Sequence, residues 1–147
     1  MKYYEDVEVG SVNESPTYTV SKDEIIEFAR QWDPQPFHID EAFAATTELG
    51  LIGSGIHSIA LVAKLAHEAV KGQPNATIAG LGWDDTRLVT PLRPGDIVRT
   101  RIEVLDKRVS TSRPTTGIIT SRLSLLNARD EVIVTFVSKT LMGRRPT

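Results

Sequence analysis

Apolar residues recur at helical spacing behind a polar cap in the first part of the chain. The run Ser21-Lys-Asp-Glu24 has the form of a capping box, and apolar side chains follow it at every third or fourth position. These are Ile25, Phe28, Ala29 and Trp32. Because Pro34 disfavours the helical conformation for the residue before it, the helix is predicted to end at Asp33. A second, short helix is expected over residues 40–47, with Asp40 as its N-cap.

A longer segment in the middle of the chain is apolar over most of its helical circumference. Ser54-Gly55 precedes this segment, and its polar side chains gather on one narrow stripe. The stripe consists of Lys64, His67, Glu68 and Lys71. A helix with this pattern is buried on most sides. Residues 56–71 are therefore predicted to form a buried helix, which Gly72-Gln-Pro-Asn75 ends.

The second half of the chain has the pattern of β-strands, with many β-branched residues bounded by turn signals. The predicted strands are residues 77–89, 97–104, 118–126 and 132–142, with a shorter strand before them at residues 18–20. One buried helix followed by about four antiparallel strands predicts an α+β domain, in which the sheet wraps around a central helix. Such a sheet leaves an exposed edge strand and apolar surface, which a second copy of the chain is suited to cover.

Length, charge and composition narrow the classes of function. The 147 residues fit one domain, residues 1–147, and leave no room for a separate cofactor-binding domain. A net charge of −2 gives no electrostatic support for a nucleic-acid partner. The absence of cysteine excludes disulfides, a thiolate zinc site and a cysteine nucleophile. No stretch reaches the ~18 apolar residues of a membrane span, and no signal-peptide pattern opens the chain, so a cytoplasmic protein without membrane contact is expected.

The first candidate for chemistry is the pair Asp33 and His38. Pro34 and Pro36 lie between them, so no regular helix is expected there, and their fixed φ angles make the connecting segment stiff. A stiff segment holds a carboxylate and an imidazole at a fixed separation, which acid–base catalysis requires. The structural alternative is that Asp33 caps the helix end and His38 packs in a loop, and spacing alone favours that alternative.

The second candidate is the segment Gly53-Ser-Gly-Ile-His57 at the start of the buried helix. A helix N-terminus presents unpaired backbone N–H groups and a partial positive charge, and Gly55 allows close approach of a substrate. This arrangement suits a site for a thioester carbonyl oxygen. The alternative, that Ser54 is an N-cap and the glycines form a turn, is favoured when the segment is taken alone.

The histidines do not have the spacing of a metal site. His38, His57 and His67 form no H-x-x-x-H or similar pair, so neither a metal nor another cofactor is expected. His57 is a candidate substrate contact at the helix start, but its position favours a place on the polar stripe of the helix.

The segment Phe28-Ala-Arg-Gln-Trp-Asp-Pro-Gln-Pro-Phe-His-Ile-Asp40 resembles the signature of the MaoC-like, R-specific enoyl-CoA hydratases. The Pro91-Leu-Arg-Pro-Gly-Asp96 turn and the strands after it are also similar, and the resemblance runs from about Val7 to Met142. It implies a hot-dog fold, in which a long helix is wrapped by an antiparallel sheet, in a homodimer or higher oligomer. It also implies a lyase of fatty acid metabolism that forms R-3-hydroxyacyl thioesters by adding water to 2-enoyl thioesters.

The resemblance assigns roles to individual residues. Asp33 and His38 match the catalytic Asp and His, which hold the water that adds across the double bond. Gly55 matches the glycine whose backbone N–H polarises the thioester carbonyl, and the neighbouring Ser54, Gln35 and His57 are further candidates for substrate contact. The substrate is then an acyl thioester of CoA or of acyl carrier protein.

The sequence departs from the family pattern at three places. These departures bear on which acyl group is bound more than on the type of reaction. Gln35 stands where the family has Asn, Trp32 stands where it has Gly, and Ser54-Gly55 replaces His-Gly.

Two alternative functions also remain open. One is a hot-dog thioesterase, in which a carboxylate activates water against the carbonyl carbon. The other is a non-catalytic subunit that binds acyl thioesters.

Overall fold

The fold is described from a computed structural model, which describes residues 1–70 and 72–147. A 3-10 turn (Tyr4–Asp6) and two short strands come first, four α-helices follow, and four long strands come last in the described part of the chain. The helices are α1 (Lys22–Trp32), α2 (Pro36–Ile39), α3 (Glu41–Ala44) and α4 (Gly55–Ala69). The strands are β1 (Val12–Glu14), β2 (Tyr18–Thr19), β3 (Thr77–Leu88), β4 (Ile97–Val109), β5 (Thr116–Leu126) and β6 (Val132–Gly143).

Helix α1 begins and ends where its sequence signals predict. Ser21 is the N-cap, and its side chain accepts a hydrogen bond from the Glu24 backbone N–H at 3.0 Å. Ile25 and Ala29 are buried on the inner face of the helix. The helix stops at Trp32, with Asp33 as its C-cap directly before Pro34. The predicted helix and its end at Asp33 are confirmed.

Helix α4 is the long buried helix of the fold. Ser54 caps it by accepting from the Ile56 N–H, and Leu61, Val62 and Leu65 are buried. Its last residue is Ala69, so the helix is shorter than the predicted 56–71, and Lys71 lies outside the described residues. No described helix is both long enough and apolar enough to cross a membrane.

The sheet is antiparallel and has the order β1-β4-β5-β6-β3, with β2 also paired to β4. All four strands predicted in the second half are confirmed, although β4 continues five residues beyond the predicted end at 104. Strand β3 lies at the edge of the sheet, and its pairing with β6 is interrupted by register shifts, one of them between Gly80 and Gly82. Glycine in a strand often marks such an irregularity, because it has no side chain to pack.

The main core lies between α4 and the inner face of the sheet. Leu61, Val62 and Leu65 of α4 pack there with Leu125 and Phe136 of the sheet. Helix α1 joins the same cluster through Ile25. A central helix wrapped by an antiparallel sheet is the hot-dog arrangement that the resemblance implies, and the predicted α+β class is confirmed.

Candidate active site

The segment after α1 brings Asp33 and His38 together. Asp33 Oδ2 lies 3.5 Å from His38 Nε2. The segment between them is fixed by two backbone hydrogen bonds, from Gln35 N to Asp33 O at 2.8 Å and from His38 N to Gln35 O at 2.9 Å. The expectation of no regular helix here is wrong for Pro36–Ile39, because proline fits the first position of a helix, where its missing N–H has no partner to lose.

The backbone also fixes the orientation of the His38 ring. Nδ1 lies 2.6 Å from the Ile52 carbonyl oxygen, which can only accept a hydrogen bond. The neutral ring therefore carries its proton on Nδ1 and presents the Nε2 lone pair to Asp33. His38 is buried, whereas the Asp33 side chain is 26% exposed. The pair is thus anchored on the protein side and open on the other.

Ser54 connects the end of α1 to the start of α4. Its hydroxyl donates a hydrogen bond to Asp33 Oδ2 at 2.7 Å. The Ser54 hydroxyl oxygen also accepts a hydrogen bond from the Ile56 N–H at 3.2 Å. Ser54 is fully buried. One hydroxyl therefore caps α4 and holds the Asp33 carboxylate in place.

Gly55 is the first residue of α4, where a helix has N–H groups without intrahelical acceptors. Among the described residues, none accepts a hydrogen bond from the Gly55 N–H. A Cβ at this position would lie 2.6 Å from Leu88 Cδ1, so a side chain here would press on the neighbouring β3 residue. The free N–H and the positive end of the α4 dipole suit a developing negative charge on an oxygen atom.

These groups border a cavity of about 490 Å³. Asp33, Gln35, His38 and Gly55 all line it, and apolar side chains supply most of the remaining wall. The apolar lining includes Phe37, Leu49, Ile52, Leu88, Val89, Leu92 and Ile133. Four of the six candidate residues therefore line one cavity. Ser54 does not line it, but Ser54 is hydrogen-bonded to Asp33, which does. Trp32, one of the three departures from the family pattern, is exposed and is not part of the lining.

His57 points away from the cavity and packs against α1. Its Nε2 lies 2.8 Å from Glu24 Oε2, and its ring stacks on Phe28 with centroids 4.4 Å apart. Tyr18 donates to the other oxygen of Glu24. Burial lowers the pKa of His57, although the hydrogen bond to Glu24 opposes this shift. His57 shares the helix face of the polar stripe, as predicted, but it is buried there because α1 covers this end of the face. It does not line the cavity, so the structure offers no support for a substrate contact by His57.

Ser58 is a polar residue of the lining that the sequence reasoning missed. It is 2% exposed and lines the same cavity as Gly55. The signal was available, because residues three apart on a helix share a face.

Among the described residues, no group of three side chains is arranged to hold a metal ion.

The sequence and the fold were compared with those of known proteins, and the similar proteins include dehydratases and hydratases. A family model described as a MaoC like domain matches residues 7–124. The MaoC-like dehydratase from Rhodospirillum rubrum is 36% identical, covers 99% of both chains and has a TM-score of 0.89. The unliganded R-hydratase PhaJ1 from Pseudomonas aeruginosa is 27% identical over 98% of this chain and 86% of its own, with a TM-score of 0.73. The 3-hydroxybutyryl-CoA dehydratase of Methylorubrum extorquens is 31% identical over 71% of this chain, which spans 64% of that protein.

Proposed function

This chain belongs to the MaoC-like dehydratase family, and on that premise we propose that it is a hydro-lyase that adds water to 2-enoyl thioesters and removes it from 3-hydroxyacyl thioesters. The observation that carries the proposal is the shared cavity, where the Asp33–His38 pair and the free N–H of Gly55 meet. The similarity to a 3-hydroxybutyryl-CoA dehydratase and to an R-hydratase supports the same reaction class.

In the hydration direction, the Asp33 carboxylate and the Nε2 lone pair of His38 hold one water molecule. Their separation of 3.5 Å is long for a direct hydrogen bond, and a water molecule beside both groups can donate to each. The pair accepts a proton as the water oxygen bonds to C3, and a proton is returned to C2. Dehydration reverses these steps, so the same pair serves both directions.

The thioester carbonyl lies against the start of α4 in this proposal. As water adds to C3, negative charge develops on the carbonyl oxygen. The Gly55 N–H and the helix dipole stabilise that charge, and Ser54 keeps the Asp33 carboxylate facing C3. Gln35 is exposed at the mouth of the cavity, where it is placed to contact the thioester arm.

The apolar wall receives the acyl chain. Leu92 and Ile133 are almost fully buried, and Leu88 and Val89 form an exposed rim. A volume of about 490 Å³ lies within the ordinary range of small-molecule sites. CoA and acyl carrier protein are both candidate carriers, and the R-3-hydroxyacyl product is proposed from the similarity to the R-hydratase.

A homodimer is part of the proposal. Strand β3 lies at the edge of the sheet and exposes Ile78, Leu81 and Trp83. An unpaired apolar edge is a surface that a second copy can cover. Light scattering of the purified protein is expected to give twice the chain mass, or a higher even multiple.

The reaction is tested with purified protein and crotonyl-CoA, by following the loss of enoyl-thioester absorbance. We expect turnover, and we expect Asp33→Asn to lower kcat about 100-fold or more, because general acid–base groups contribute ~10²–10⁴ in rate. Asp23→Asn is the matched control, since Asp23 is exposed in the first turn of α1 and does not line the cavity.

Two other outcomes would replace the proposal. Release of free thiol from a saturated acyl-CoA, without hydration of any enoyl-CoA, would indicate a thioesterase. Binding of acyl-CoA without turnover, over several chain lengths and with both carriers, would indicate a non-catalytic binding subunit.

A further inference from the structure

Ser58 places a hydroxyl group in the apolar part of the cavity. The residue is 2% exposed, and its neighbours in the lining include Leu88, Leu92 and Ile133. Among the described residues, the Ser58 hydroxyl has no hydrogen-bond partner. Its oxygen atom is nevertheless partly accessible to solvent. Its accessible side therefore faces the cavity.

The position of Ser58 along α4 sets which part of a substrate it meets. Ser58 follows Gly55 by three residues, a rise of about 4.5 Å along the helix axis. Helical side chains lean back toward the N-terminus, so the hydroxyl lies somewhat closer to Gly55 than this rise indicates. Three carbon–carbon bonds of an extended chain cover a similar distance. With the thioester carbonyl at Gly55, Ser58 lies near C4 of the acyl chain.

We propose that Ser58 determines specificity by hydrogen-bonding an oxygen atom on C4, so that the preferred substrates are short 2-enoyl thioesters with a 4-hydroxyl group. This inference rests on the proposed function, because it uses the same site and the same orientation of the thioester.

The chemistry of a buried hydroxyl supports this assignment. A polar group in apolar surroundings loses its hydrogen bonds to water when a substrate fills the cavity. An alkyl chain would leave the Ser58 hydroxyl unpaired, whereas a 4-hydroxyl group would accept its proton or donate to it. Sites built to hydrogen-bond a substrate hydroxyl discriminate strongly against analogues that lack it.

The test compares two substrates of nearly the same shape. In 4-hydroxy-2-butenoyl-CoA the C4 substituent is a hydroxyl group, and in 2-pentenoyl-CoA it is a methyl group. We expect the native protein to have a kcat/KM at least tenfold higher for the hydroxylated substrate. The ratio of the two kcat/KM values is the measured quantity, because it cancels changes in folded fraction and in the catalytic pair.

Three variants separate the hydrogen bond from the space it occupies. Ser58→Ala removes the hydroxyl, and Ser58→Cys keeps nearly the same size but has only a weak donor. Both are expected to lower the kcat/KM ratio about tenfold, the typical effect of one lost hydrogen bond. Ser58→Thr retains a hydroxyl and is expected to retain the preference. Equal changes with both substrates, or a Ser58→Cys variant that keeps the native ratio, would overturn the assignment.

Binding gives a readout that does not depend on turnover. The saturated pair 4-hydroxybutyryl-CoA and pentanoyl-CoA is compared by calorimetry, and Ser58→Ala is expected to lower the ratio of their affinities about tenfold. Hydration of 2-pentenoyl-CoA at a rate equal to that of the hydroxylated substrate would overturn the role of Ser58 and leave the proposed reaction standing. Hydration of crotonyl-CoA but of neither test substrate would also overturn the role of Ser58, whereas failure to hydrate all three would overturn the reaction itself.

Discussion

Two buried histidines each lie beside a carboxylate, and they differ in what surrounds the pair. His38 and Asp33 are 3.5 Å apart and line a cavity. His57 and Glu24 are 2.8 Å apart and lie between α1 and α4, outside that cavity. A histidine–carboxylate pair is therefore not a sign of catalysis by itself. Access to a cavity, and a separation too long for a direct hydrogen bond, distinguish the first pair from the second.

The two pairs also differ in which atoms are anchored. The His38 ring is held by the Ile52 carbonyl and the Asp33 carboxylate by Ser54, so both groups are oriented before a substrate arrives. Glu24 is held by Tyr18, but the Nδ1 atom of His57 is buried and has no partner among the described residues. The first arrangement suits work on a bound molecule, and the second suits a link between two helices.

The same substitution in both histidines should give the largest contrast. His38→Gln is expected to lower kcat/KM by about 10²–10³, because it removes the group that holds and deprotonates water. His57→Gln is expected to change kcat/KM by less than about fivefold, since His57 lies outside the cavity. Initial rates with crotonyl-CoA measure both effects, and circular dichroism checks that each variant is folded. A greater loss of activity in His57→Gln than in His38→Gln would reverse our assignment.

The stability of the fold should respond in the opposite order. Glu24→Ala removes hydrogen bonds to Tyr18 and His57, and we expect it to lower the free energy of unfolding by about 2 kcal/mol. Asp33→Asn keeps an oxygen for the Ser54 hydroxyl, so its expected cost is below about 1 kcal/mol. Urea denaturation of both variants provides the comparison. Equal losses would mean that the Asp33 pair also serves as a structural link.

Ser54→Ala should affect both properties moderately, because Ser54 caps α4 and orients Asp33. Loss of the cap is expected to cost about 1 kcal/mol of unfolding free energy. A less well-oriented carboxylate is expected to lower kcat about tenfold. Ser54→Thr retains the hydroxyl and serves as the control. Native kcat in Ser54→Ala would show that the Ser54–Asp33 hydrogen bond does not position the carboxylate.

The smallest expected effect is on the pH dependence of stability. Burial lowers the pKa of His57 in the folded protein below the ordinary value of 6.5. At a pH between the folded-state pKa and 6.5, His57 is protonated in the unfolded chain but neutral in the folded protein. The contribution of neutral His57 to stability is therefore fully present above about pH 6.5 and is lost as the pH falls through the folded-state pKa. The native protein should therefore lose stability more steeply below pH 6.5 than His57→Gln does. Parallel profiles of melting temperature against pH for the two proteins would contradict this.

The sequence predicts much of this fold because its signals are local. The capping box before α1, the stop at Pro34 and the strand segments after residue 76 each depend on neighbouring residues, and the corresponding elements are confirmed. The proximity of Asp33 and His38 follows from the short stiff segment between them. The burial of His57 does not follow from helical periodicity, because periodicity identifies a face of α4 but not the α1 helix that covers it.

The cavity depends on contacts that are distant in sequence. Leu92 of the loop between β3 and β4 and Ile133 of β6 line the same cavity as Ser58 of α4. Helical spacing alone places Ser58 beside Gly55, but it does not show that this face borders an open cavity. Recognition of a buried serine as a site residue therefore requires the three-dimensional arrangement.

The Tyr18–Glu24–His57 network has a consequence for protein engineering. Replacing a buried polar network as a unit by apolar residues of similar volume is often neutral or stabilising, whereas removing one member is costly. This network lies outside the cavity that contains Asp33 and Ser58. It is therefore a region where thermostability can be redesigned, by changing all three residues together, while the cavity is kept for altering substrate choice.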